Sequence, residues 1–169
     1  NAVRGALGAL TRTYDIAHLC GKDKTDAQLS CERCYRQYEF VSGELPDVFA
    51  ATDLIVSRAG ANAVFEFLAL SKPALLIPLP LSASRGDQIL NAGYFARKGY
   101  AMVLEQEKLS PATLLDAVND LYDRRLSFVA TMSRDPLADG TDEVLAVIRD
   151  ALYEQRKKKI GKNSGQNDD

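Results

Sequence analysis

One loop of the sequence, residues 57–63, has the composition of a turn that binds phosphate. It lies between an apolar run and an apolar helical pattern, and Gly60 stands near its middle. A glycine at a strand-to-helix turn lets a ligand approach the backbone, and the N–H groups of the first helical turn attract an anion. We therefore expect a phosphate group at this loop, with the candidate binding residues Arg58, Gly60, Ala61, Asn62 and Ala63.

Glu66 is the only charged residue of the helix predicted over residues 61–70. At a rise of about 1.5 Å per residue it lies about 7 Å along the axis from Ala61, which matches the step from a diphosphate to its ribose. A carboxylate can accept hydrogen bonds from both hydroxyls of a ribose. The loop and Glu66 together predict a nucleotide site. In the alternative interpretation, Gly60 is an ordinary turn residue and Glu66 only favours the dipole of the helix N-terminus.

A strip of polar residues follows the next predicted strand. Its members recur at helical spacing, and they are Ser84, Asp87, Gln88 and Asn91. Carboxylate and amide groups can read the hydroxyls of a sugar. Because the strip lies one strand along from the phosphate loop, we expect Asp87, Gln88 and Asn91 to contact a sugar at the same edge of the sheet. The alternative is a polar helix face that is simply solvated.

Histidine and cysteine residues occur close together near the start of the chain. His18 and Cys20 share one face of a predicted strand, and Cys31 and Cys34 form a C-x-x-C pair. Together they could supply a zinc site, although strong zinc signatures repeat the C-x-x-C pair. Reduced thiols in a reducing compartment are the interpretation that we favour. A single histidine gives no Ser-His-Asp arrangement, so we expect no covalent catalysis from this chain.

The elements that must position these residues alternate between strands and helices. Apolar runs predict strands over residues 14–20, 35–41, 53–57, 74–78 and 100–104. Helical patterns fall over residues 2–10, 23–29, 45–51, 61–70, 87–98, 111–122, 124–132 and 139 to about 159. The alternation predicts an α/β domain with a doubly wound, Rossmann-like parallel sheet, helices on both faces and further helices at the C-terminus. Ligands of such sheets bind beyond the carboxyl ends of the strands.

Length and composition bound the class of protein. The chain has 169 residues, of which 46% are hydrophobic and 26% charged, as is typical of one globular domain. A net charge of −2 argues against a protein that mainly coats nucleic acid. No apolar run approaches the roughly 20 residues that span a bilayer. The basic run at residues 156–159 could contact anionic lipid or be solvated at a helix end, and residues 161–169 predict a disordered tail.

Three stretches of the sequence resemble the carboxyl-terminal domain of the MurG family of peptidoglycan glycosyltransferases. They are DLIVSRAGANAVFE at residues 53–66, KPALLIPL at residues 72–79 and GDQILNA at residues 86–92, and the resemblance runs from Asn1 to about Leu152. Enzymes of this family transfer N-acetylglucosamine from a UDP donor to lipid I, which forms lipid II. The resemblance implies the donor-binding half of an inverting GT-B glycosyltransferase, a class with two Rossmann-like domains that face a cleft.

The resemblance also implies which residues bind the UDP part of the donor. Residues 60–63 match the diphosphate-binding positions of the family, and Glu66 matches the ribose position. Val41 matches the position whose backbone holds the uracil. Cys20 stands where the family has a serine near the phosphates, and Gly21 beside it fits the family pattern.

For the sugar and the partners, the resemblance implies the following. Asp87 and Gln88 match a pair that meets the hydroxyls of N-acetylglucosamine, and Asp87 stands at a position that is glutamine in some members. We expect no cofactor, no metal and no nucleic acid. The expected partners of the full-length protein are UDP-N-acetylglucosamine, the lipid I acceptor and the cytoplasmic membrane surface. The protein is then cytoplasmic and peripheral on the inner face of the bacterial cell membrane.

The expected domain organisation is half of a two-domain enzyme. We expect residues 1–160 to form the donor-binding domain. Family members carry a strand and a glycine-rich turn before the helix that begins this chain, so we expect both to be missing here and the sheet to be incomplete. The N-terminal domain, with the acceptor site, the general base and the main membrane-facing patch, would be missing too. The isolated chain is then expected to be inactive.

Two alternatives stay open at this point. The first is another UDP-sugar enzyme of the same fold, such as a glycolipid glycosyltransferase or a UDP-sugar epimerase. The second is a non-catalytic zinc-binding interaction module built on His18, Cys20, Cys31 and Cys34.

Overall fold

A computed structural model describes residues 2–30, 33–135, 145–150 and 152–153. Its strands are β1 (Ile16–Leu19), β2 (Tyr35–Tyr38), β3 (Ile55–Ser57), β4 (Ala74–Leu76) and β5 (Ala101–Val103). β1 pairs with β2, β4 pairs with both β3 and β5, and each of these pairs is parallel. No ladder joins the two groups of strands within the described residues. The predicted α/β class with parallel strands is confirmed, and the strands are shorter than the apolar runs.

The helices lie between the strands, as predicted for a parallel sheet. They are α1 (Ala2–Leu10), α2 (Leu45–Ala51), α3 (Ala61–Ala69), α4 (Asp87–Arg97) and α5 (Pro111–Met132). α5 begins at a capping box, in which the Ser110 hydroxyl accepts a hydrogen bond from the Thr113 N–H at 3.1 Å. Pro111 occupies the first helical position, where its missing N–H costs nothing.

The helix predicted over residues 23–29 is wrong. Only Ala27–Leu29 forms a short 3-10 turn, and Asp23 has a left-handed backbone with φ of 56°. The Asp26 carboxylate accepts a hydrogen bond from the Gln28 N–H at 3.0 Å. Such a local bond competes with the helical hydrogen-bond pattern, which explains why the segment stays irregular.

The helix boundary predicted between residues 122 and 124 is also wrong, because α5 runs unbroken through Pro111–Met132. Its buried side chains repeat along one side of the helix, and they are Leu114, Val118, Leu121, Phe128 and Met132. Asp123 and Arg124, which stand at the predicted boundary, lie on the exposed side. The apolar period therefore continues past them at helical spacing.

The core of the fold lies around β4. All three residues of this strand are buried, and Leu75 and Leu76 are 0% exposed, as expected for a central strand covered on both faces. α5 packs against β4, β5 and α1. A Cβ atom at Gly5 would lie 3.0 Å from Pro111 Cγ, so the glycine lets α1 and α5 approach closely.

The register of β3, β4 and β5 brings their carboxyl ends level. Ser57 pairs with Leu76, and Leu76 pairs with Val103. The pairing continues one residue further, because the Ile77 N–H donates to the Ser57 carbonyl at 2.8 Å. The loops that follow β3 and β4 therefore start at one edge of the sheet, which is where ligands bind in folds of this class.

A second unit of the chain comprises Asp135–Asp169. Residues 145–150 and 152–153 of this unit are helical, which falls inside the helix predicted over residues 139–159. The basic run at residues 156–159 and the predicted tail at residues 161–169 lie outside the described residues. In the described part of the chain, no helix is both long and apolar enough to cross a membrane.

Candidate functional site

The N-terminus of α3 presents backbone N–H groups that no side chain caps. Gly60 is the N-cap residue, and it makes no side-chain hydrogen bond to the helix. The first helical bond runs from the Val64 N–H to the Gly60 carbonyl at 3.1 Å, so the N–H groups of residues 61–63 precede the intrahelical pattern. Ala61 and Asn62 are exposed, and Ala63 is half-buried. Uncapped N–H groups at a helix N-terminus attract anions, and the phosphate expected at this loop stays a prediction.

Gly60 faces open space. An added Cβ atom would have no other atom within 4 Å, and the backbone φ of −66° is one that any residue adopts. Neither packing nor backbone conformation therefore requires a glycine here. The missing side chain leaves room for a ligand to approach the backbone of the α3 N-terminus.

Glu66 lies on α3, six residues beyond Gly60. Its side chain is exposed, and among the described residues it has no hydrogen-bond or ion-pair partner. The carboxylate is therefore available to accept hydrogen bonds from hydroxyl groups of a ligand. Its assignment to a ribose stays a prediction.

Arg58 ties the loop after β3 to the loops after β4 and β5. Its Nη1 donates to the Ile77 carbonyl at 3.0 Å and to Gln106 Oε1 at 2.7 Å. These bonds occupy one nitrogen of the guanidinium group, whose other donors stay available. A contact between Arg58 and a phosphate stays a prediction, whereas its role in holding the three loops together is observed.

The polar strip on α4 meets the same loops. Gln88 Oε1 accepts a hydrogen bond from the Leu79 N–H at 3.1 Å, and Asn91 Nδ2 donates to the Ala59 carbonyl at 3.0 Å. Asp87, at the first position of the helix, is exposed and has no side-chain partner among the described residues. The alternative interpretation, in which the strip is simply a solvated helix face, is therefore not supported. Gln88 and Asn91 bind backbone of the neighbouring loops, and the Ser84 hydroxyl lies 3.3 Å from the Pro80 carbonyl.

Gly86 sets the start of α4. Its φ of +90° lies in the left-handed region, and a Cβ atom there would lie 3.0 Å from Leu81 Cδ2. A residue with a side chain would therefore be strained at this position. Glycine is required here for the fold, in contrast to Gly60.

A separate polar cluster surrounds the end of β1, and Arg4 is its centre. The Arg4 Nη2 donates to Gln37 Oε1 at 2.8 Å, to the Lys24 carbonyl and, at 3.6 Å, to Cys20 Sγ. Gly21 follows with φ of +90°, which turns the chain after the strand. The sequence reasoning missed Arg4 and Gln37. Arg4 is the only charged residue of the apolar helix α1, and that was the available signal.

His18 is held in its neutral form inside this cluster. Its Nδ1 lies 2.7 Å from the Tyr35 hydroxyl. Partial burial and, to a smaller degree, the Arg4 charge lower the pKa of His18. Burial raises the pKa of the Tyr35 hydroxyl. The pair therefore forms a neutral hydrogen bond at physiological pH.

The described residues contain no group of three or more His, Cys, Asp and Glu side chains that could hold a metal ion. Cys31 lies outside the described residues. The Ile16 N–H binds the Cys34 carbonyl at 2.8 Å, so Cys34 adjoins the start of β1 while Cys20 follows its end. Four residues of strand separate the two ends by about 13 Å, which does not favour the zinc interpretation.

The structure thus describes two clusters of predicted site residues. One contains Arg58, the α3 N-terminus and the α4 strip, and the other contains Cys20 and Gly21. No hydrogen bond or ring contact within the described residues joins the two. Val41, the predicted uracil position, is half-buried and lies three residues beyond the end of β2. Whether all three regions meet one ligand stays a prediction.

Comparison with known proteins extends these observations. The chain is 46% identical over 149 residues to a protein of Lachnoclostridium phytofermentans and 42% identical over 152 residues to one of Clostridium perfringens. Both are named UDP-N-acetylglucosamine--N-acetylmuramyl-(pentapeptide) pyrophosphoryl-undecaprenol N-acetylglucosamine transferase. The matches cover 88% and 90% of this chain, but only 42% and 43% of the relatives.

Two solved structures share the fold of this chain. MurG of Acinetobacter baumannii matches with a TM-score of 0.69 and 24% identity, over 88% of this chain and 44% of that one. The calicheamicin glycosyltransferase CalG4 matches with a TM-score of 0.60 and 18% identity, over 89% of this chain and 40% of that one. The model of the glycosyltransferase family 28 C-terminal domain matches residues 1–147. Because that match covers most of the sequence, the chain belongs to the family of glycosyltransferase family 28 C-terminal domains.

Proposed function

We propose that this chain binds UDP-N-acetylglucosamine as the donor half of an inverting glycosyltransferase. The longer protein transfers N-acetylglucosamine to lipid I and forms lipid II in peptidoglycan synthesis. Support comes from relatives at 46% and 42% identity that are named as N-acetylglucosamine transferases. The observation that carries the proposal is the uncapped N-terminus of α3, with open space over Gly60.

The diphosphate of the donor lies at this helix end. The backbone N–H groups of residues 60–63 donate to the phosphate oxygens, and the helix dipole favours their charge. The described part of α3 has no acidic residue in its first turn that would repel an anion. Cys20 and Gly21 approach the phosphates from the loop after β1, with the thiol where the family has a hydroxyl.

The nucleoside extends from the diphosphate along α3. Glu66 lies about 7 Å along the helix axis from Ala61, at a rise of about 1.5 Å per residue. Its exposed carboxylate accepts hydrogen bonds from the ribose hydroxyls. The backbone at Val41 holds the uracil.

The sugar meets the N-terminal part of α4. Asp87 is exposed and without a side-chain partner among the described residues, so its carboxylate accepts hydrogen bonds from sugar hydroxyls. Gln88 uses its Oε1 for the Leu79 N–H, which leaves its amide NH₂ group to donate to a sugar hydroxyl. Because the Gln88 oxygen is occupied, Gln88 acts toward the sugar as a hydrogen-bond donor.

The reaction is a direct displacement at the anomeric carbon. An acceptor hydroxyl oxygen bonds to that carbon while the bond to the UDP oxygen breaks, and the electron pair stays with UDP. The N–H groups of the α3 N-terminus stabilise the negative charge that develops on the leaving diphosphate. The acceptor proton goes to a general base in the N-terminal domain of the longer protein.

The chain spans less than half the length of the curated relatives that it matches, at 42% and 43%. We therefore propose that residues 1–160 are one domain of a longer enzyme. In the usual doubly wound order 3-2-1-4-5-6, the first strand separates the second strand from the fourth. The division into β1-β2 and β3-β4-β5 fits a sheet in which that first strand comes from upstream sequence.

The chemistry of the acceptor bears on where in the cell the longer protein acts. The relatives are named for a pyrophosphoryl-undecaprenol substrate, which is a lipid. We propose that the full-length enzyme is cytoplasmic and binds the inner face of the cell membrane peripherally. The main membrane contact lies in the N-terminal domain, and the basic run at residues 156–159 adds attraction to anionic lipid.

A donor panel tests the proposed function. The full-length enzyme is titrated calorimetrically with UDP-N-acetylglucosamine, UDP-glucose and UDP-galactose, and transfer to lipid I is then measured with each donor. UDP-N-acetylglucosamine is expected to bind tightest and to be the donor that yields lipid II. Equal affinity for the three donors, with no transfer to lipid I, would favour another UDP-sugar enzyme of the same fold.

A further inference from the structure

Asn91 is joined to the loop that precedes α3. Its Nδ2 donates to the carbonyl oxygen of Ala59 at 3.0 Å, and Ala59 is 0% exposed. Asn91 lies one turn beyond Gln88 on α4, and Gln88 binds the Leu79 N–H in the loop after β4. Two side-chain amides of α4 therefore make hydrogen bonds to the loops after β3 and β4.

We propose that Asn91 is a positioning residue for the diphosphate site, in place of the sugar-reading role that the sequence predicted for it. The inference rests on the proposed function. Asn91 acts through the peptide bond between Ala59 and Gly60. It holds the N-terminus of α3 in the orientation that binds the diphosphate.

The geometry of one peptide bond supports this role. A trans peptide is planar, with its C=O and N–H pointing in opposite directions. Fixing the Ala59 carbonyl on Asn91 therefore also fixes the direction of the Gly60 N–H. That N–H has no described protein acceptor, and it adjoins the open space over Gly60.

The loop has a second, independent tether. Arg58 binds the Ile77 carbonyl and Gln106, on the side of the loop that faces β4 and β5. Ser57 is the last residue of β3 and Ala61 the first of α3, so only residues 58–60 connect the two elements. Without Asn91, Arg58 alone still anchors the start of the loop, while the peptide next to Gly60 is free to rotate.

The affinities for UDP and for UDP-N-acetylglucosamine distinguish the two roles of Asn91, positioning the diphosphate site or contacting the sugar. Both are measured by calorimetry on the full-length enzyme and on Asn91→Ala and Asn91→Asp. Positioning predicts that both variants lose affinity for both ligands by the same factor, about two- to tenfold, because both lack the donor to Ala59. If Asn91 instead contacted the sugar, neither substitution would change the affinity for UDP. Asn91→Asp would also keep an acceptor oxygen, and with it much of the affinity for UDP-N-acetylglucosamine. That result would overturn the inference, as would unchanged affinities for both ligands.

Asn119→Ala is the matched control. Asn119 also makes one side-chain hydrogen bond, from the Tyr14 hydroxyl to its Oδ1 at 2.7 Å, but it lies on α5 away from the site. Asn119→Ala is expected to leave the affinities for UDP and for UDP-N-acetylglucosamine unchanged. If it weakens binding as much as Asn91→Ala does, the effect is general destabilisation and the positioning role is wrong.

Amide exchange gives a measurement that needs no ligand. The Val64 N–H is protected by its bond to the Gly60 carbonyl, so its exchange reports on the α3 N-terminus. In Asn91→Ala it is expected to exchange about tenfold faster, with no change for Asn119→Ala. Unchanged exchange would contradict the positioning role. A wild-type enzyme that binds neither ligand would instead refute the proposed function, and the exchange result would still decide the role of Asn91.

Discussion

Arg4 of α1 and Gln37 of β2 are joined by a hydrogen bond of 2.8 Å between Nη2 and Oε1. Gln37 also accepts a hydrogen bond from the Asp26 N–H and donates one to the Asp26 carbonyl. The Arg4–Gln37 pair therefore connects α1, β2 and the loop that follows Cys20. Another bond to the same region runs from the Asp23 N–H to Glu39 Oε1 at 3.2 Å.

Replacing Arg4 with Met tests this connection. The Lys24 carbonyl and Gln37 Oε1 would each lose a donor, so we expect a lower urea midpoint and faster amide exchange in residues 21–26. Arg12→Met is the control, since Arg12 is exposed and makes no described side-chain hydrogen bond. Equal midpoints for the two variants would contradict the structural role of Arg4.

Gly60→Ala is expected to separate folding from binding. The backbone conformation suits alanine and the added methyl group meets no other atom, so stability should stay within about 0.5 kcal/mol or rise slightly. Donor affinity should fall at least tenfold, because the methyl group fills the space that a phosphate needs. Gly8→Ala, which also faces open space, should leave donor affinity unchanged. Calorimetric titration of both variants with UDP-N-acetylglucosamine provides the measurement, and normal affinity of Gly60→Ala would be inconsistent with phosphate at this loop.

His18 predicts a pH dependence of stability. Its pKa is lowered in the folded state, so the unfolded chain binds a proton more readily than the folded chain below about pH 6.5. This contribution to stability is complete above that pH and is lost as the pH falls. Urea denaturation of the wild type and of His18→Gln between pH 5 and pH 8 measures it. The variant should show a flatter profile in this range, and identical slopes would contradict the assignment of a neutral, partly buried His18.

The unbroken helix α5 predicts that alanine substitutions at two of its leucines lower the free energy of unfolding by unequal amounts. Leu121 is 0% exposed and Leu126 is 72% exposed, although they lie only five positions apart on the helix. Leu121→Ala should cost about 2–5 kcal/mol of unfolding free energy, and Leu126→Ala should change it by less than about 0.5 kcal/mol. Chemical denaturation of both variants measures the difference, and similar costs would show that the apolar face is placed wrongly.

Much of this fold could be predicted from local patterns, and the exceptions have identifiable causes. The α/β class followed from apolar runs that alternate with helical periods, and the N-terminus of α3 followed from one glycine after a buried strand. Residues 23–29 resembled a helix, but the Asp26 side chain binds backbone there. The break predicted after residue 122 fell at Asp123 and Arg124, which occupy the exposed side of an unbroken α5.

The candidate site was predictable in position and less so in contacts. Sequence spacing placed Gln88 and Asn91 on one face of α4 and at the correct edge of the sheet. It could not show whether their amides meet a sugar or the backbone of adjacent loops, because that depends on how closely α4 packs against those loops. The cluster around Arg4 was missed for a similar reason, since its partners come from β1, β2 and the following loop.

The most direct test of the account is the contribution of Glu66 to donor affinity. The full-length enzyme is titrated calorimetrically with UDP-N-acetylglucosamine, and the same titration is made with Glu66→Ala and with Asp116→Ala. Asp116 is the matched control, because it is an exposed helical carboxylate on α5 with no described partner. Two charge-assisted hydrogen bonds to the ribose predict at least a tenfold loss of affinity for Glu66→Ala and no change for Asp116→Ala. Unchanged affinity of Glu66→Ala would contradict the proposed donor site on α3.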